Sequence, residues 1–186
     1  MPDEASLLAA LRRAPLSGAE ALIKAIGIGS QASFSRLVTR AGDRVVAVGR
    51  ARARRYAAAR DVRGLGFQLP LYRVDATGAM DRIATLRPYA PGGTFVDDPV
   101  RLPRWMTGAR GNGTFDALPV FLFDPRPQGF LGRTFAGRHA AELRLATHPD
   151  EWTDDDVLLA LARAGEDVVG GLVVGEDAAI RVHARW

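Results

Sequence analysis

The chain has 186 residues, no cysteine and a formal net charge of +4, so disulfides and thiolate metal sites are excluded. With 47% hydrophobic and 25% charged residues, its composition is that of a folded protein rather than a disordered one. No apolar run approaches the roughly 20 residues that span a bilayer, and the acidic start MPDEASLL is unlike a signal peptide. We therefore expect a cytoplasmic protein without a membrane partner.

The positive charge is concentrated in the first third of the chain. Residues 1–63 carry twelve basic and five acidic side chains, whereas residues 64–186 carry thirteen basic and sixteen acidic ones. A basic segment followed by a mildly acidic one predicts two domains with these bounds, of which the first binds a polyanion.

Three helices are predicted in the first domain. The apolar face of the first helix ends before Pro15, because proline breaks a helix. Ser17 and Glu20 have the spacing of a capping box, in which two side chains satisfy free N–H groups at a helix start. A second helix is therefore predicted from about Gly18 to Ile26.

A third helix is predicted after Ser30, which can cap it. Phe34, Leu37 and Ala41 recur at the spacing of one helical face, which predicts a buried side. The opposite side is polar and has no acidic residue, as in a recognition helix that enters a major groove. Its candidate DNA-binding residues are Ser30, Gln31, Ser33, Ser35, Arg36, Thr39 and Arg40.

An arginine-rich β-hairpin is predicted next, with strands at Val45–Val48 and Arg54–Ala59. Arginines on a hairpin beside a recognition helix can enter a minor groove or line phosphates, although such charges also protect a plain sheet edge. We predict a winged helix-turn-helix that binds double-stranded operator DNA as a homodimer, since one unit reads only a half-site. The hairpin residues expected at DNA are Arg50, Arg52, Arg54 and Arg55.

The second domain alternates short strand patterns with helices, which predicts a small α+β domain and an α+β fold class for the whole chain. A helix is expected from Gly129 or Phe130, and another over Asp154–Ala164 behind a Thr153 cap. A mobile surface loop is expected at Asp97–Gly113. Strands are expected at Leu69–Val74, Met80–Leu86, Thr94–Val96 and Gly171–Val174.

Three segments of this domain resemble the N-terminal small lobe of HipA-like serine/threonine kinases: DPRPQGFLGR (Asp124–Arg133), EWTDDDVLLALARAGED (Glu151–Asp167) and GGLVVGED (Gly170–Asp177). The resemblance extends to the YjjJ-like branch, in which a winged helix-turn-helix precedes that lobe. In three-component HipBST systems the DNA-binding HipB and the small lobe HipS are separate proteins. This chain looks like the two roles carried on one polypeptide, with a HipS-like second domain.

The resemblance implies a DNA-binding antitoxin and autorepressor that neutralises a separately encoded HipA-like kinase toxin. The kinase is expected to contact Arg126, Gln128 and Phe130, because two prolines hold this turn rigid and a preorganised aromatic anchor loses little entropy on binding. Trp105, on the predicted mobile loop, is a second expected contact.

Two other functions stay open, the DNA-binding and regulatory N-terminal portion of a single-chain HipA-like kinase, and a ligand-sensing winged-helix transcription factor. Catalytic residues are not expected, since no GxxxxGK[ST] loop is present and the sole lysine, Lys24, lies in the helix-turn-helix. The histidines are scattered, and the run Asp154–Asp156 complements the dipole at a helix start. We therefore expect no metal site, no cofactor and no enzyme activity.

Overall fold

The structure is a computed structural model that describes residues 3–97, 102–167 and 170–185. It is a mixed α and β protein with two antiparallel sheets. Its helices are α1 (Glu4–Arg13), α2 (Ala19–Ile26), α3 (Gln31–Ala41), α4 (Gly129–Leu143), α5 (Asp154–Ala164) and α6 (Glu176–His183). Its strands are β1 (Ser17–Gly18), β2 (Val45–Val48), β3 (Arg55–Ala58), β4 (Leu69–Val74), β5 (Met80–Tyr89), β6 (Gly93–Asp97), β7 (Thr114–Phe115) and β8 (Leu172–Val174). Among the described helices, none has the length and apolar character needed to cross a bilayer.

The first sheet has three strands in the order β1-β3-β2, and α1, α2 and α3 share a hydrophobic core with it. Phe34 of α3 meets Tyr56 of β3 edge to face, with ring centroids 5.3 Å apart, a favourable aromatic geometry. Fully or almost fully buried residues of this core are Leu7, Leu8, Leu11, Leu22 and Leu37. The predicted helices of the first domain are therefore confirmed.

The predicted capping box at the start of α2 is wrong. Ser17 lies in β1 opposite Tyr56 of β3, and its Oγ donates a hydrogen bond to the carbonyl of Ala14 at 2.8 Å. Gly18 is the residue before the helix and has no side chain with which to cap it. Ser17 is therefore part of a strand pair, whereas the sequence pattern predicts that it caps the helix.

The second sheet has five strands in the order β7-β6-β5-β4-β8, and every neighbouring pair is antiparallel. Leu158 of α5 is completely buried in the same cluster as Leu71 of β4 and Leu86 of β5. The four strands predicted in the second domain are confirmed, with β5 extended to Tyr89. Helix α6 and strand β7 were not predicted.

The predicted mobile loop at Asp97–Gly113 is only partly open to description, because residues 98–101 lie outside the described ranges. Leu102 and Met106 are buried in the core, and the Gly113 N–H donates to the carbonyl of Thr107 at 2.9 Å. From residue 102 onward this segment is a surface loop that its buried residues anchor to the core, while others such as Trp105 stay exposed.

The two sheets are joined by backbone hydrogen bonds and a shared core. The Ala90 N–H donates to the carbonyl of Ala58, and the Arg60 N–H donates to the carbonyl of Pro88, both at 2.9 Å. Side chains from both sheets pack together at this joint, namely Val46, Val48, Ala57, Tyr89 and Phe95. The end of β3 therefore runs directly along the end of β5.

The start of α5 carries its predicted cap. Thr153 Oγ1 accepts from the Asp156 N–H at 3.2 Å, and the Asp156 carboxylate accepts from the Thr153 N–H at 3.0 Å. Asp154 accepts from the backbone N–H of Leu118 at 2.8 Å. The acidic run Asp154–Asp156 thus does more than complement the helix dipole, because Asp154 also fixes the backbone at Leu118 by a hydrogen bond.

Two ion pairs connect this helix start to the segment that follows β3. Asp155 pairs with Arg60 at 3.0 Å, and Asp156 pairs with Arg63. Burial raises the pKa of the Asp155 carboxyl, and the attraction of Arg60 only partly opposes it. Burial also acts on Asp156, but hydrogen bonds from Thr153 and Arg63 outweigh it and lower the pKa of that carboxyl. We refer to these contacts of residues 60–63 with α5 as the junction.

Candidate nucleic-acid interface

Helix α3 presents the polar face that its sequence predicts. The Ser30 hydroxyl accepts from the Ser33 N–H at 3.2 Å and donates to the Ser33 hydroxyl at 3.1 Å, so it is engaged as the helix cap. Phe34 and Leu37 are buried beneath the helix, which directs the intervening residues outward. The exposed residues of this face are Gln31, Ser33, Ser35, Arg36, Thr39 and Arg40.

A tight turn sets the angle between α2 and α3. Gly27 follows α2 in the left-handed region at φ 68°, which glycine adopts without the steric cost of a β-carbon. The half-buried Ile28 follows, and its N–H donates to the carbonyl of Ile23 at 3.1 Å. This turn fixes the start of α3 against the end of α2.

Residues 49–55, which we call the arginine turn, run from the end of β2 to the first residue of β3. A short 3₁₀ helix spans Ala51–Ala53. The Arg54 Nε donates to the carbonyl of Gly49 at 3.4 Å, and Arg55 Nη1 donates to the carbonyls of Arg52 and Arg54 at 3.4 and 3.3 Å. These bonds are longer than typical N–H···O bonds, so they brace the turn only weakly.

The structure brings the arginine turn next to the start of α3. A groove of about 840 Å³ separates them. Gln31 lines it on the helix side, and Arg52, Arg54 and Arg55 line it on the other. Two parts of the predicted DNA site are therefore adjacent in space. Arg50 is exposed on the same turn but does not line the groove.

Sequence reasoning missed two residues of this groove, Glu20 and Lys24 of α2. They stand four residues apart and share one helical face, a signal that is visible in the sequence. Their position depends on the pairing of β1 with β3, which brings the start of α2 against the arginine turn. The sequence pattern does not predict that pairing.

The other flank of α3 is less positive. Hydrogen bonds from the backbone and the side chain of Ser6 lower the pKa of the Asp3 carboxyl, and Glu4 pairs with Arg44 at 2.5 Å. These acids share a second groove, of about 820 Å³, with the end of α3. Its charged and polar lining residues are Asp3, Glu4, Ser33, Arg36 and Arg40.

The cations around α3 are not neutralised by acids of the described structure. Within the part of the chain that the structure describes, no basic side chain of α2, α3 or the arginine turn forms an ion pair with a carboxylate. These side chains are Lys24, Arg36, Arg40, Arg50, Arg52, Arg54 and Arg55. By contrast, Arg163 and Arg181 each pair with a carboxylate at 2.5 Å. Unpaired cations on one surface attract polyanions.

The residues predicted to bind a protein partner do not all meet at one place. Arg126 and Gln128 line a groove of about 380 Å³ at the start of α4, whereas Phe130 and Trp105 do not line it. Phe130 is 74% exposed and Trp105 is 64% exposed, so neither is a core residue. Over the described ranges, no group of three or more His, Asp or Glu side chains is placed to hold a metal ion.

Comparison with known proteins places the chain in a family. Residues 65–183 match the family described as "YjjJ-like toxin, middle domain". The chain is also 44% identical over 158 residues to "Toxin YjjJ" of Escherichia coli (strain K12), a match that covers 84% of this chain and 32% of that protein. The chain thus spans about a third of the length of this curated relative. No solved structure matches it.

These matches correct the function expected from the sequence. Both the family and the relative are described as toxins, so the predicted antitoxin role is wrong. The resemblance to YjjJ-like proteins and the link to toxin–antitoxin systems are confirmed. The chain belongs to the YjjJ-like toxin family.

Proposed function

We propose that the first part of this chain is the DNA-binding region of a YjjJ-like toxin and acts as a winged helix-turn-helix. The main support for this proposal is the set of unpaired cations that surrounds the acid-free face of α3. In this proposal α3 enters the major groove of double-stranded DNA, and the arginine turn lies against phosphates or in the adjacent minor groove.

The two flanks of α3 indicate how DNA would lie. The arginine turn and Lys24 make the flank nearest Gln31 strongly positive, while Asp3 and Glu4 reduce the charge of the other flank. Phosphate contacts are therefore expected mainly on the side of the arginine turn. The short polar side chains of α3 suit hydrogen bonds to base edges.

Salt dependence of DNA binding tests this arrangement. The variant Arg50→Ala/Arg52→Ala/Arg54→Ala removes up to three phosphate contacts. Each contact contributes about 0.9 to the slope of log affinity against log salt, so the slope should flatten by about 2.7. Between about 50 and 200 mM salt, the wild-type protein should then lose about 40-fold more affinity than the variant. Fluorescence anisotropy of a labelled duplex measures both slopes.

A control variant separates local contacts from loss of net charge. Arg73→Ala/Arg110→Ala/Arg163→Ala removes the same charge from exposed arginines that pair with acids in the second part of the chain. The salt slope of this control should equal that of the wild type. An unchanged slope in the arginine-turn variant, or an equal change in the control, contradicts the proposal.

Two expectations from the sequence extend this proposal. The relative is about three times as long as the matched region, which favours the alternative that such a segment is the DNA-binding and regulatory portion of a longer HipA-like kinase. Binding as a homodimer on operator DNA is the other expectation. Analytical ultracentrifugation of the chain with a duplex carrying one or two half-sites gives the stoichiometry that tests it.

A further inference from the structure

An exposed apolar patch lies just before and at the start of α4. Val120, Phe123, Phe130 and Leu131 are 57%, 43%, 74% and 65% exposed. Single exposed apolar residues are common in soluble proteins, but several large ones close together mark a surface that contacts something else. No part of the proposed DNA site includes them.

The patch is continuous with the 380 Å³ groove. The Phe123 N–H donates to the carbonyl of Val120 at 3.1 Å, and the Phe123 carbonyl accepts from Gln128 Nε2 at 3.4 Å. The Arg126 guanidinium lies 6.0 Å from the centre of the Phe123 ring. Arg126, Gln128 and Leu131 all line the groove. We call the patch and the groove together the α4 surface.

The loop that forms the α4 surface is packed against its helix. Pro125 and Pro127 are both buried. A β-carbon on Gly132 would lie only 2.6 Å from the carbonyl carbon of Pro127, so the loop touches the first turn of α4 at a residue without a side chain. A surface that is already ordered loses little conformational entropy when a partner binds.

The charges of the α4 surface that form no ion pair within the described residues are mainly positive. Asp124 and Asp167 line the groove, but Asp167 is held by His139 at 2.8 Å and Arg185 at 3.1 Å. The hydrogen bond from His139, followed by that from Arg185, lowers the pKa of the Asp167 carboxyl. Arg126 and Arg138 line the groove, and Arg133 is exposed on α4 between Phe130 and Arg138, whereas Asp124 is, over the described ranges, the one lining acid outside an ion pair. This charge favours an occupant that carries carboxylates.

We propose that the α4 surface docks a protein segment that combines a bulky apolar side chain with acidic residues. The apolar side chain packs against Phe130 and Leu131, and a carboxylate lies near Arg126 and Arg138. Aromatic and arginine side chains together are typical of the residues that dominate binding energy at protein interfaces. The inference stands independently of DNA binding, which involves other residues.

Synthetic peptides test the proposed chemistry directly. A fluorescein-labelled peptide that alternates glutamate with leucine and phenylalanine should bind about tenfold more tightly than the same peptide with lysine in place of glutamate. Phe130→Ser/Leu131→Ser should weaken binding of the acidic peptide about tenfold. Both residues are largely exposed, so this variant retains the fold, which circular dichroism verifies.

Two controls separate the α4 surface from other sites. Ile180→Ser changes an apolar residue of α6 that is 62% exposed, and Arg50→Ala/Arg52→Ala/Arg54→Ala removes cations from the arginine turn. Both variants should bind the acidic peptide like the wild type. The proposal is overturned if the acidic peptide does not bind or if the acidic and basic peptides bind equally. It is also overturned if either control variant weakens binding as much as the α4 variant. Tighter binding of single-stranded oligothymidine than of the acidic peptide at the α4 surface overturns it as well.

Discussion

Replacing Arg60 tests how the junction stabilises the fold. The side chains of Arg60 and Asp155 are 19% and 24% exposed. Within the described residues, Arg60 Nε and Nη2 are buried without a hydrogen-bond partner. Burial raises the pKa of the Asp155 carboxyl despite its cationic neighbour, as expected where desolvation costs more than an ion pair returns.

The substitution Arg60→Leu leaves the Asp155 carboxylate without its cation. Removing one partner of a buried ion pair costs about 3–5 kcal/mol. The lower end, about 3 kcal/mol, applies because part of each side chain still reaches water. For a protein of this size, that loss lowers the melting temperature by about 6–12 °C.

The loss of stability in Arg60→Leu depends on pH with a definite sign. An acid whose pKa is higher in the folded protein stabilises the fold while it is protonated, and this contribution is lost as the pH rises through the folded pKa. Without Arg60 the pKa of Asp155 rises further. The loss of stability relative to the wild type is therefore largest at neutral pH. It becomes smaller as the pH falls towards the ordinary pKa of an aspartate side chain.

Urea and thermal unfolding at several pH values measure this effect. Arg60→Leu/Asp155→Leu removes both charges and should recover most of the lost stability. Arg73→Leu, which breaks an exposed pair with Asp81, should cost less than about 1 kcal/mol. Wild-type stability of Arg60→Leu at neutral pH, or a deficit that grows on acidification, refutes the reasoning.

Two further substitutions test packing and capping. A β-carbon on Gly93 would overlap the ring of Tyr89. Gly93→Ala should therefore lower the free energy of unfolding by about 1–3 kcal/mol through overpacking. Calorimetry that finds no change in melting temperature argues against this contact. Thr153→Ala removes the cap of α5 and should cost about 1 kcal/mol in urea unfolding, whereas an unchanged midpoint indicates that the cap contributes nothing.

The parts of the fold that depend on neighbouring residues in sequence could be predicted. The caps Ser30 and Thr153 are present because capping needs only a suitable residue at the helix start. Ser17 shows the limit of this reasoning, since its pairing with Tyr56 involves a strand far along the chain. Contacts of that kind leave no local pattern.

The candidate sites show the same division. The outward face of α3 follows from its helical period, and its residues are exposed as predicted. Lys24 joins the arginine turn only through the tertiary fold. The antitoxin role is inferred from a resemblance over three short segments, and the match of residues 65–183 to a toxin family is needed to correct it.

The continuous joint between β3 and β5 has a consequence for geometry on DNA. Because backbone bonds, a shared core and the ion pairs of the junction all cross it, we expect α3 and the α4 surface to keep one relative orientation. If this protein binds DNA through α3 and a partner through the α4 surface, the partner lies on one fixed side of the duplex. If the partner also binds DNA, moving the partner's DNA site by half a helical turn would place the two proteins on opposite sides of the double helix.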